Sequence, residues 1–150
     1  MTHWATIGMA FLLSSCGGNR QGHFREIAGH ANPIIIKLQP AAAIILDEHR
    51  RSDVDGINKA CLDSLGVAQQ LGTVHFNDRS NGGNDKVGVD DVVGLLSSDP
   101  AVYCKDAKRN VRDETCRDWC VDRFRDLADA LDRAHDAAAK ENVQLELLRK

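Results

Sequence analysis

The chain lacks the short signatures of the common hydrolases and nucleotide-binding enzymes. It contains no G-x-S-x-G, no H-E-x-x-H and no glycine loop of the kind that cradles phosphate. It therefore offers no catalytic residue to nominate, and a non-enzymatic role is the expectation. His23, His30, His49, His75 and His135 are scattered, none at a spacing that sets it beside a nucleophile, so each reads as a solvated surface histidine. C-x-x-C is absent, which removes the thiol redox motif. The formal net charge is only −3, which gives no electrostatic case for binding nucleic acid. Aromatic residues are few, at 5%. No apolar run reaches the roughly 20 residues that a membrane-spanning helix needs.

What the chain does have begins at its N-terminus. Residues 4–13, WATIGMAFLL, have the length of a signal-peptide core, about 7–15 residues. The run closes on Leu13-Ser14-Ser15-Cys16, an aliphatic residue, two small residues and a cysteine. This resembles the lipobox of bacterial lipoproteins. The resemblance implies that residues 1–15 are removed as a signal peptide and that the Cys16 thiol carries the lipid. Met1-Thr2-His3 lacks the Lys or Arg that usually precedes such a core. Gly17 after the cysteine, rather than Asp, is similar to lipoproteins sent to the outer membrane. The implied location is the cell envelope, facing the periplasm or the exterior.

Residues 16–38 read as a lipid-anchored tether, rich in Gly and polar residues up to Asn32. Across its end, PIIIKLQP over residues 33–40 is compatible with one short N-terminal strand, and equally with an extended peg packed on helices. Residues 39–150 read as a helical domain. Pro40 suits a helix first turn. Ser52 and Asp55 form a capping-box-like start, followed by an apolar stripe of Val54, Ile57, Cys61, Leu65 and Ala68. Asp90 or Asp91 caps a short helix, and Asp99-Pro100 starts another that carries Val102, Tyr103 and Cys104.

No Gly or Pro follows Pro100, so residues from about 112 to 148 read as one long helix. Its seam runs through Cys120, Phe124, Leu127, Leu131, Ala134 and Ala138 and on to Leu145 and Leu148. The expected fold is thus mainly α, a small helical bundle with a long C-terminal amphipathic helix. Its first half should pack on the other helices. Its last turns could pack or project, and in the second case could pair with a second copy. Leu127, Leu131, Ala138, Leu145 and Leu148 are the candidate partner surface.

Four cysteines remain besides Cys16: Cys61, Cys104, Cys116 and Cys120. An even number suits disulfides in an oxidising compartment. Cys116 and Cys120 are four apart on one helix, a spacing that does not readily close a bridge. Two pairings remain, Cys61–Cys120 with Cys104–Cys116, or Cys61–Cys116 with Cys104–Cys120. We favour the first, because Cys120 and Cys61 both lie on apolar stripes. The competing reading is a metal site of Cys104, Cys116, Cys120 and His135, although C-x11-C-x3-C does not match the short zinc knuckles.

Residues 81–96, NGGNDKVGVDDVVGLL, resemble the second half of a dockerin-type EF-hand calcium loop. That resemblance implies Val87 as the central apolar residue and Asp91 as the last ligand. Asp78, Ser80, Asn84, Asp85 and Asp91 would hold the ion in an expanded loop. Gly82 stands where an oxygen ligand belongs and Asp85 where the turn glycine belongs. The plainer reading is a turn followed by a helix cap.

Three roles fit these features. The first is a lipid-anchored envelope protein that meets a protein partner through a helical surface. The second is a phage-encoded envelope lipoprotein, such as an outer-membrane spanin subunit or a superinfection-exclusion factor. The third is a calcium-stabilised binding module.

Overall fold

A computed structural model of the chain describes residues 10–76, 88–107 and 112–149, with side chains from residue 19. The fold is mainly α, and no strand occurs among the described residues. In chain order the helices are α1 (Ala10–Ile45), α2 (Val54–Gln70), α3 (Val89–Ser98), α4 (Pro100–Tyr103) and α5 (Glu114–Ala139). Single 3-10 turns follow α1 at Glu48–Arg50 and α2 at Leu71–Thr73.

The apolar seam of α5 folds as its periodicity predicts. Cys120, Phe124, Leu127, Leu131, Ala134 and Ala138 are all buried, facing α1, α2 and α3. Asp113 caps the helix by accepting the Cys116 N–H at 3.2 Å. The buried Asn58 of α2 donates to the Asp113 carbonyl at 2.9 Å, tying α2 to the same cap.

Helix α1 overturns the reading of residues 16–38 as a tether and of 33–40 as a strand. Ile27, Ala31, Ile35, Leu38, Ala42 and Ile45 are buried at steps of four and three. Pro33 and Pro40 stand inside the helix, where each lacks an N–H and frees the carbonyl four residues back. Both prolines are exposed, and so are Gly29 and Ile36, whose carbonyls lose their partners. The prolines lie seven apart, on one solvent-facing side, so water can take up what the helix gives away.

The long C-terminal helix stops earlier than expected, at Ala139 rather than near 148. Asn142 adopts a left-handed conformation, φ 57°, and the Val143 N–H reaches back to the Ala138 carbonyl. This is a Schellman stop with asparagine in the place glycine usually takes. Residues 143–149 then run as an extended strap with Val143, Leu145 and Leu148 buried. The strap follows α1 in the same direction. Gln21 donates to the Glu141 carbonyl, Asn32 to Gln144 and Gln39 to Leu147, at 3.0, 3.1 and 2.8 Å. The Glu146 N–H donates back to Asn32 at 2.8 Å. His135 binds the Leu145 carbonyl through Nδ1, which must carry the proton because a carbonyl only accepts. The strap therefore seals the groove between α1 and α5.

The two predicted starts in the middle of the chain shift slightly. Asp53, not Ser52, caps α2, accepting the Gly56 N–H at 3.0 Å. Gly88 is the cap residue of α3, with Asp90 and Asp91 in its first turn; Asp90 also accepts the Phe76 N–H. Asp99 precedes Pro100 at the start of α4 as expected. Among the described residues, no helix is long and apolar enough to cross a membrane.

Candidate functional site: a disulfide-framed aromatic cleft

Two bridges organise one corner of the bundle. Cys61 bonds Cys120, joining α2 to α5, and Cys104 bonds Cys116, joining the end of α4 to the first turn of α5. Their Cα separations of 6.1 and 4.6 Å are within the range disulfides require. This is the pairing the apolar stripes favoured. The two bridges touch, because the Cys116 and Cys120 sulfurs lie 3.9 Å apart. Stapling four-residue α4 to α5 matters locally, since a helix that short has no stability of its own.

The staple sets Tyr103 above Trp119. Their rings stack with centroids 6.2 Å apart and planes within 10°. Trp119 is buried and Tyr103 is 41% exposed, with Val102 beside it at 64%. The pair forms one wall of a cleft of about 360 Å³, completed by Asp99, Thr115, Asp118, Asp122 and Arg123. Two donors at its edge, Trp119 Nε1 and Arg123 Nε, are buried without a hydrogen-bond partner. The other end of the Arg123 guanidinium contacts Asp126 at 3.2 Å. An aromatic face among carboxylates suits a cationic or amphipathic group better than an anion.

Cys16 lies within the span of α1, and its side chain is outside the described residues. Of the calcium set, Asp78, Ser80, Asn84 and Asp85 lie outside the described residues. Asp91 is exposed in the first turn of α3. Leu127, Leu131, Ala138, Leu145 and Leu148 are buried, each at no more than 1% exposure. They form the core and the strap's anchor, so this seam is not an open partner surface. The same burial removes the seam as a site for pairing with a second copy. His135 is committed to the strap, so it does not join the cysteines. Lys59 has its pKa raised by a hydrogen bond to Asp63 at 2.7 Å, on an exposed face of α2.

Tyr103 and Trp119 were missed as functional candidates. One signal was present, since each is an aromatic residue next to a cysteine in a chain with few aromatics. The chain matches no protein-family model, no curated protein and no solved structure.

Proposed function

We propose that this protein is a lipid-anchored cell-envelope protein with a non-enzymatic, partner-binding role, fixed to the membrane through Cys16. The observation that carries the reading is the distribution of the cysteines. Two bridges take up Cys61, Cys104, Cys116 and Cys120, leaving Cys16 as the one cysteine outside them. It is also the residue that the lipobox-like run assigns to acylation. Paired bridges suit an oxidising compartment, where an exported domain resides.

Processing between Ser15 and Cys16 would leave α1 beginning at the lipid. Cys16 precedes Ile27, the first buried residue among the described side chains of α1, by 11 positions, or about 16 Å of helix. The domain would then stand close to the bilayer on a helical stem. With the α5 seam buried, the surface offered to a partner is the exposed Val102–Tyr103 corner and its acidic cleft.

The test is the intact mass of the protein from a membrane fraction under non-reducing conditions, beside Cys16→Ala. The reading expects loss of residues 1–15, added acyl chains, and a variant that is neither cleaved nor acylated. An unprocessed, unacylated wild-type chain in the soluble fraction would overturn it.

A further inference from the structure

Beyond the envelope reading, and independent of it, we propose that the reduced protein binds one zinc ion through Cys61, Cys104, Cys116 and Cys120. Three of these sulfurs, from Cys104, Cys116 and Cys120, lie within 4.8 Å of one another and are buried. The fourth belongs to Cys61, which is bonded to Cys120 and is itself fully buried. The fold thus gathers three sulfurs to one point and holds the fourth, on Cys61, one bond away from Cys120.

The spacing suits the metal. Four thiolates about 2.3 Å from a tetrahedral zinc stand roughly 3.8 Å from one another. The sulfurs of Cys116 and Cys120, which belong to different bridges, are 3.9 Å apart. They project from successive turns of α5, a rigid element, so that edge of the tetrahedron already exists. Cys116 is in the first turn of α5, where the positive end of the helix favours a thiolate. Cys61 on α2 and Cys104 after α4 complete the set once their bonds are opened. Four sulfurs without a free coordination position make a structural site, not a catalytic one.

The chemistry balances with a dithiol as reductant. Each protein disulfide accepts two electrons and two protons from one dithiol, which becomes a disulfide. Zinc then displaces the four thiol protons as it binds. The metal would hold α2, the end of α4 and α5 together where the bridges otherwise do. The same corner would therefore be stapled by disulfides in an oxidising compartment and by zinc in a reducing one.

The experiment uses the full-length chain carrying Cys16→Ala, so that no fifth thiol contributes. It is reduced with a phosphine in the absence of oxygen and titrated with Co²⁺, then with Zn²⁺. The expected result is the absorption of tetrahedral cobalt–thiolate, saturating at one metal per chain and bleached by zinc. The oxidised chain should show none. Cys61→Ser and Cys104→Ser should each lose the four-sulfur spectrum. Should the reduced apo chain be unfolded, it is refolded with metal present, and recovery of helical circular dichroism is the second readout. Absence of the cobalt–thiolate spectrum under both regimes overturns the proposal. A spectrum unchanged in Cys61→Ser overturns the four-ligand assignment.

Discussion

Helices α1 and α5 are the two long elements of this protein, and their sequences announce themselves very differently. In α5, charged and apolar residues separate cleanly onto opposite faces, with no Gly or Pro to interrupt them. In α1 the separation is much weaker, and Gly17, Gly18, Gly22, Gly29, Pro33 and Pro40 all fall within it. Local propensity opposes α1, since proline costs about 3 kcal/mol and glycine about 1 kcal/mol against alanine in a helix interior. Both helices nevertheless bury unbroken stripes in the same core. The difference teaches that α5 is helical by its own pattern, whereas α1 is helical because α2, α5 and the strap give its apolar side somewhere to go.

The comparison can be broken by truncating one core residue on each helix. Leu38→Ala in α1 and Leu131→Ala in α5 should each lower unfolding free energy by about 2–5 kcal/mol, read by denaturant titration. A tether at residues 16–38 would leave Leu38→Ala without effect. Removing the staple beside α5, with Cys61→Ala and Cys120→Ala together, should cost about 2–4 kcal/mol more under oxidising conditions than in reductant with a metal chelator present. The same denaturant titration, run with and without reductant, checks this.

Pro33→Ala acts in the opposite sense and sharpens the contrast. The residue is exposed and mid-helix, so the substitution should stabilise the protein by about 1–3 kcal/mol, seen as a higher melting temperature. In a strand or a loose segment, the loss of proline would be neutral or destabilising. The smallest effect is expected from Asn32→Ala. It removes two hydrogen bonds to the strap at a half-buried site, worth about 1 kcal/mol, and should raise proteolysis of the C-terminal segment.

These contrasts explain what could be read in advance. The mainly α bundle, the α2 stripe, the first half of the long helix and the favoured disulfide pairing all follow from periodicity, and the structure has each of them. The α1 stripe from Ile27 to Ile45 was equally periodic, but two prolines and the nearby glycines masked it. Their harmlessness depends on which side faces water, a tertiary fact. Asn142 carries the stop of α5, and asparagine is a weaker sign of it than glycine. Without that stop, Leu145 and Leu148 extend the seam and read as an open surface instead of a buried strap. The Tyr103–Trp119 stack could not be foreseen, because it depends on a short helix held in place by the Cys104–Cys116 bridge.

Native-state amide hydrogen exchange, resolved by residue, tests the central structural claim most directly. The account predicts that residues 27–45 of α1 are protected to the same level as residues 120–138 of α5, because both open only when the shared core opens. Fast exchange across residues 27–38, with α5 still protected, would contradict it. The N-terminal segment would then be a tether after all, and the strap would have nothing to seal.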